Sequence, residues 1–254
     1  MGMKKLIIGN WKMNPATTAE ALKLARSIKR VAHQLTKTDV VIAPPLVFVV
    51  PAAGAKPTPH FHLAAQTLSV ENGTGPHTGE VSATILKGAG IQYVIIGHSE
   101  ERERGETDAV IAQKVARALD VGIIPVICVG EKVRDESGSH LEGLKQQIKA
   151  SLKDVSHAHA SKMVIAYEPV WAIGASEPMK NEEIFEASLF VKKVCGDLFG
   201  PEIGVKTTVL YGGSVNRLNA PDIISIGKVD GLLVGRESIN APGFTALLKA
   251  VDVI

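Results

Sequence analysis

Residues 5–35 read KLIIGNWKMNPATTAEALKLARSIKRVAHQL. The segment opens as a short apolar run of strand length, 5–10, and then changes period. Thr17 and Glu20 stand at capping-box spacing, and Leu24, Ile28, Val31 and Leu35 recur on one helical face. A strand followed by an amphipathic helix is one βα unit, and the unit repeats along the chain. Further strand runs lie at 39–43, 62–65, 93–97, 124–129, 163–167, 207–211 and 231–234, with helical patterns between them. One of those helices starts at Asn181 and places Ile184, Ala187, Val191 and Leu198 on a face. Eight units of this kind favour closure into a parallel α/β barrel, a single-domain (β/α)8 fold spanning 1–254. A doubly wound open sheet carries the same local pattern, and periodicity alone does not separate the two.

Bulk properties agree with one large core. The chain has 254 residues, 45% of them hydrophobic, enough for one domain of this size. Its formal charge is +2, spread along the chain, so no segment has the charge density of a nucleic-acid face. The apolar run 6–9 is too short for a secretory h-region, and no stretch approaches membrane-spanning length; a cytoplasmic protein with no membrane partner is expected. Cys128 and Cys195 both fall in apolar or helical patterns and read as reduced core thiols. The pairs His60/His62 and His157/His159 are the nearest approach to metal-ligand spacing, but one lies among prolines and the other in a polar connector, so no metal is expected. Gly138 and Gly143 have Walker spacing with Leu144 where lysine is required, which disfavours ATP chemistry.

In a parallel barrel the chemistry sits where strands end, so the residues just after each run matter most. After the first run come Asn10 and Lys12, two apart and able to share a face, one a hydrogen-bond donor and the other a cation. The fourth run ends at Gly97-His98-Ser99-Glu100, with an imidazole at the start of a short helix. A helix N-terminus disfavours imidazolium, leaving His98 neutral and able to donate to a carbonyl. The sixth run ends at Glu168, followed by Pro169-Val170-Trp171-Ala172-Ile173-Gly174. Apolar residues in a loop bounded by Pro169 and Pro178 are better explained as a lid that excludes water from a carboxylate base than as an exposed connection. The seventh and eighth exits carry Gly212-Gly213-Ser214 and Gly235-Arg236, where glycines let main-chain N–H groups approach an anion such as phosphate.

Taken together, the motifs Gly-Asn-Trp-Lys-Met-Asn at 9–14, Gly-His-Ser-Glu at 97–100, Tyr-Glu-Pro-Val-Trp-Ala-Ile-Gly at 167–174 and Tyr-Gly-Gly-Ser-Val at 211–215 resemble the triosephosphate isomerase family over nearly the whole chain. The resemblance implies a TIM barrel that works without a cofactor on a small phosphorylated sugar. It implies Glu168 as the base that removes a carbon-bound proton, His98 as the neutral acid, Lys12 and Asn10 as stabilisers of an enediolate, and Glu100 as a supporting carboxylate beside Lys12. Gly174, Ser214, Gly235 and Arg236 would offer main-chain donors to the phosphate. It also implies a homodimer, with Thr78 in the loop that completes a neighbour's site.

The chain departs from the family's pattern at three places. Glu101 stands where the family has an arginine that pairs across the dimer, which leaves Arg102 or Arg104 for that task, or else a weaker dimer. The end of the lid reads Glu177-Pro178-Met179, with a proline that fixes one backbone angle. Arg236 replaces a second glycine, adding a side chain beside the phosphate site. An arginine there also resembles barrels that isomerise erythrulose phosphates, making a tetrose phosphate the leading alternative substrate. A catalytically silent phosphate-binding barrel is the alternative of a different class, disfavoured by the joint presence of Asn10, Lys12, His98 and Glu168.

Overall fold

A computed structural model describes residues 4–53, 58–135, 138–173 and 178–254. Eight strands, β1 (Lys5–Asn10), β2 (Thr38–Ala43), β3 (Phe61–Ala65), β4 (Tyr93–Ile96), β5 (Ile124–Val129), β6 (Val164–Tyr167), β7 (Thr208–Tyr211) and β8 (Gly231–Val234), close in sequence order into a barrel. Every neighbouring pair is parallel, and β1 joins β8 through the register Leu6↔Gly231 to Gly9↔Val234. Closure removes the sheet edges that an open, doubly wound arrangement would leave, so the ambiguity left by periodicity resolves to the barrel. At position 231 closure demands glycine: a Cβ there would lie 1.8 Å from the Leu6 carbonyl oxygen on the adjoining strand.

Side chains alternate between two cores, as a period of two requires. Leu6, Ile8, Val41, Ala43, Ala64, Ile95, Val126, Cys128, Val164, Ala166, Leu210 and Leu233, drawn from all eight strands, form the inner one. The intervening strand residues, Ile7 and Ile42 among them, pack instead with the helices that surround the barrel. The first helix, α1 (Thr18–Ala32), has the capping box expected of it: Thr17 Oγ1 accepts the Glu20 N–H and Glu20 Oε2 accepts the Thr17 N–H. Leu24, Ile28, Val31 and Leu35 are all buried against the outer face. Among the remaining helices, α2 (Leu46–Ala53), α3 (Ala83–Gly88), α4 (Ser99–Glu103), α5 (Asp108–Asp120), α6 (Ser139–Ser151), α7 (Asn181–Phe199), α8 (Pro201–Lys206), α9 (Ala220–Ser225) and α10 (Ala241–Asp252), α7 starts where its pattern predicts. It buries Ile184, Ala187 and Val191, but Phe199 takes the fully inward place at its end and Leu198 is only partly buried. Both cysteines are buried. No helix among the described residues is long and apolar enough to cross a membrane.

The predicted strand bounds hold to within one residue at either end. The most informative difference is at β4, predicted to run through Gly97 but ending at Ile96. Gly97 turns into the left-handed region, φ +71°, where L side chains rarely go. That turn breaks the strand and starts α4, with His98 as its N-cap.

Candidate active site

The inward face of the barrel reaches the last paired residue of β1 and runs one residue past that of β6. Leu6 and Ile8 face inward on β1, and two residues on stands Asn10; Val164 and Ala166 face inward on β6, and two residues on stands Glu168. The ladder continues far enough to hold these exits, since Glu168 N–H donates to the Val129 carbonyl and Trp11 N–H to that of Ala43. Asn10, Lys12, His98 and Glu168 thereby converge on one cavity of about 550 Å³ at the strand C-terminal ends. Ser214, Gly235 and Arg236 line its other side.

Asn10 and Glu168 are buried, with Glu168 only 3% exposed. The Lys12 ammonium lies 2.7 Å from Glu100 Oε1, and its backbone has φ 51°, a left-handed conformation unusual for a residue with a side chain. Two contacts hold that conformation: Lys12 N–H donates to Asn10 Oδ1 at 3.0 Å, and Gln66 Nε2 donates to the Lys12 carbonyl at 2.8 Å. The same Gln66 amide reaches the Ala43 carbonyl, which ties the loop to β2. Burial pushes the Glu100 carboxyl up, but the hydrogen bond and charge of Lys12, with His98 and Arg104, more than offset this and leave it below the ordinary glutamate value.

His98 Nδ1 accepts the Glu100 N–H at 3.2 Å. An accepting Nδ1 carries a lone pair, so the ring's proton sits on Nε2. That Nε2 is 3.4 Å from Glu168 Oε1, while Glu168 Oε2 accepts the Ser99 N–H at 3.4 Å. The imidazole and the carboxylate are thus adjacent, and both of these Glu168 contacts are long for hydrogen bonds. Two glycines make room for the carboxylate strand exit. A Cβ on Gly130 would lie 1.9 Å from the Glu168 carbonyl oxygen, and one on Gly212 would lie 2.7 Å from Glu168 Cγ.

The segment after Glu168 forms a 3-10 turn over Val170–Ala172, anchored from β5. Glu131 Oε1 accepts both the Tyr167 hydroxyl at 2.8 Å and the Trp171 indole N–H at 3.0 Å. Burial and the Glu131 carboxylate raise the Tyr167 pKa, so its hydroxyl remains a donor. Ala172 and Met179 are buried, which accords with the apolar character of this loop. Gly174 and Glu177 lie outside the described residues.

Thr78 is exposed and does not line the cavity. Of the two arginines considered for pairing across a dimer, Arg102 is committed within its own chain. It donates to the Gly97 carbonyl, to Asp108 at 2.6 Å and to the Cys128 carbonyl. Arg104 pairs locally with Glu101 at 2.7 Å and is largely exposed.

Gln66, Ser99, Glu131 and the clearances at Gly130 and Gly212 were not singled out as site positions. Gln66 directly follows β3 and Glu131 nearly follows β5, so the strand-exit rule applied to every strand finds both. The Ser99 contact is made by a main-chain N–H, which no side-chain letter signals.

The triosephosphate isomerase family model matches residues 5–251. Among curated proteins, the chain is similar to the triosephosphate isomerase of Rhodopirellula baltica, 37% identical over 98% of both chains. It is 38% identical to that of Fusobacterium nucleatum, over 98% of this chain and 99% of the relative, and to that of Dehalococcoides mccartyi, over 99% and 98%. With the closed barrel and the four converging side chains already in place, a match of this length and identity makes the chain a member of the triosephosphate isomerase family.

Proposed function

We propose that the protein interconverts glyceraldehyde 3-phosphate and dihydroxyacetone phosphate, the work of a glycolytic and gluconeogenic isomerase, with no cofactor. The carrying observation is the 3.4 Å approach of His98 Nε2 to Glu168 Oε1 in a cavity that also holds Lys12 and Asn10. Glu168 takes the proton from the hydroxyl-bearing carbon beside the aldehyde, and the electron pair left behind moves onto the carbonyl oxygen. His98 donates its Nε2 proton to that oxygen, then recovers a proton from the neighbouring hydroxyl. The protonated Glu168 returns its proton to the former aldehyde carbon. Negative charge on the enediolate is met by the Lys12 ammonium and the Asn10 amide, and the loss of one such donor typically lowers turnover by about 10²–10³-fold. The phosphate sits against main-chain N–H groups of Ser214, Gly235 and Arg236.

The working unit in this reading is a cytoplasmic homodimer of the single barrel domain 1–254. Met13, next to Lys12, is 93% exposed, α2 leaves Leu46, Val47 and Val50 exposed, and Thr78 is exposed too. Apolar side chains presented this way are what a second copy covers. Light scattering of the purified chain should give twice the 26.9 kDa chain mass.

The deciding experiment compares kcat/KM for glyceraldehyde 3-phosphate with that for an erythrulose phosphate. The triose should be strongly preferred. Preference for the tetrose would keep the proton-transfer chemistry and change the substrate, and binding of a phosphorylated enediolate analogue without turnover of either sugar would favour the silent barrel.

A further inference from the structure

The phosphate end of the cavity contains a cation with no anion of its own. Arg236 lines the cavity beside Gly235 and Ser214, is exposed, and has no carboxylate within 4 Å among the described residues. Its immediate neighbour Glu237 also lines the cavity, but the Glu237 carboxylate makes no ion pair with Arg236. A Cβ built on Gly243 would lie 1.7 Å from Glu237 Oε1, which puts that carboxylate over the first turn of α10. A helix N-terminus is a favourable place for a negative charge, so Glu237 has little to gain by turning back. The other nearby cation is already engaged. Lys12 passes Gly235, its Cε 3.8 Å from where a Cβ would stand, and ends on Glu100 at 2.7 Å.

We infer that the Arg236 guanidinium, beyond its main-chain N–H, is a side-chain ligand of the substrate's phosphate. This inference rests on the assignment of this end of the cavity to the phosphate. A planar guanidinium offers two parallel N–H donors to a phosphate. Exposed and without a carboxylate within 4 Å among the described residues, Arg236 has those donors available to a ligand. The side chain therefore contributes to binding in both the ground state and the transition state, which appears in KM more than in kcat.

The test uses Arg236→Ala, Arg236→Gln and Arg236→Lys, all of which retain the main-chain N–H. Two quantities are read for each: KM and kcat for glyceraldehyde 3-phosphate, and the dissociation constant of inorganic phosphate by calorimetry. Hydrogen bonds to charged groups are worth enough that KM and the phosphate dissociation constant should both rise about tenfold or more in the Ala and Gln variants, with kcat within about threefold of the parent. The Lys variant should fall between them and the parent. Guanidinium at sub-denaturing concentration should restore phosphate affinity to Arg236→Ala, while sodium chloride of equal ionic strength should not. Parent-like KM and phosphate affinity in both the Ala and Gln variants would overturn the inference, as would a loss confined to kcat. If the parent fails to isomerise the triose yet loses phosphate affinity on Arg236→Ala, the functional assignment falls and the phosphate ligand stands.

Discussion

Gly212 leaves open the space that the Glu168 side chain occupies: a Cβ at 212 would sit 2.7 Å from Glu168 Cγ and 3.3 Å from its Oε1. The Glu168 carboxylate is therefore positioned partly by an absence on the neighbouring strand. Gly212→Ala must push the carboxylate away from Ser99 and His98, and misplacing a reacting group by an ångström can cost about 10²-fold in rate. We expect kcat to fall by roughly that factor, with the far-ultraviolet circular dichroism unchanged. Parent-like kcat in Gly212→Ala would show that Glu168 does not need its observed position.

Lys12 combines the charge to which the proposed mechanism assigns enediolate stabilisation with a backbone angle that side chains resist, φ 51°. For an L-residue this conformation costs about 1–2 kcal/mol, a cost glycine escapes. Its ion pair with Glu100 is partly exposed and contributes little to stability. Lys12→Gly should therefore be more stable than Lys12→Ala by about 1 kcal/mol in denaturant unfolding, the reverse of the usual order, and both should be nearly inactive. If alanine is the more stable of the two, the loop relaxes to another conformation once the lysine is removed.

Acid stability should depend on Asp252, at the end of α10. Its carboxylate accepts the Thr36 N–H and the Lys37 N–H, at 3.0 and 2.8 Å, and joins the last helix to the start of β2. Burial raises its pKa, but these backbone hydrogen bonds, with that of the Thr36 hydroxyl, bring it below the ordinary 3.8. A depressed carboxylate stabilises the fold above its unfolded pKa, and the contribution is lost as pH falls through the folded value. Asp252→Asn should be destabilised at pH 7, and its difference from the parent should shrink as the pH is lowered past the ordinary aspartate range. Unfolding midpoints measured across pH test this; a constant difference would mean that the charge is irrelevant.

Burial pushes the Cys128 thiol pKa well up, and the charge and hydrogen bond of Glu168 add to it; burial also raises Cys195, to about 11. The thiolate is the nucleophile, so neither should react with a thiol reagent in the native protein at pH 8. Labelling should instead follow global unfolding and rise with denaturant. Fast labelling of the native protein would contradict the burial of both.

What could be read from the sequence followed the barrel's own logic. Where a run of apolar residues ends in a chemically distinctive letter, as at Asn10 and Glu168, its place in the cavity is legible because parity carries the inward face to the strand's end or one step past it; His98, out of phase with inward-facing Ile95, enters through the left-handed turn at Gly97. Lys12 was visible by type but not by its backbone angle, which depends on Gln66 reaching across from β3. Gly212 reads from sequence as a glycine for anion approach and Gly130 carries no signal of its own; what they provide is clearance, Gly130 for the Glu168 backbone and Gly212 for its side chain, a property only the closed barrel creates. Arg102 has the same letter whether it faces a partner or its own chain; its bonds to Gly97, Asp108 and Cys128 appear only once α4 is folded against β5.

The most direct test of Glu168 as the proton-transferring base is isomerisation of glyceraldehyde 3-phosphate in deuterium oxide, followed by proton NMR for the parent and Glu168→Gln. A general base in this role contributes about 10²–10⁴-fold. The parent should produce dihydroxyacetone phosphate with solvent deuterium at the carbon that was the aldehyde, and the variant should be slower by about that factor while remaining folded. Product formed at the parent rate by Glu168→Gln, or with the substrate's own hydrogen wholly retained at that carbon even at the earliest turnover and in exchange-free back reaction, would contradict the account.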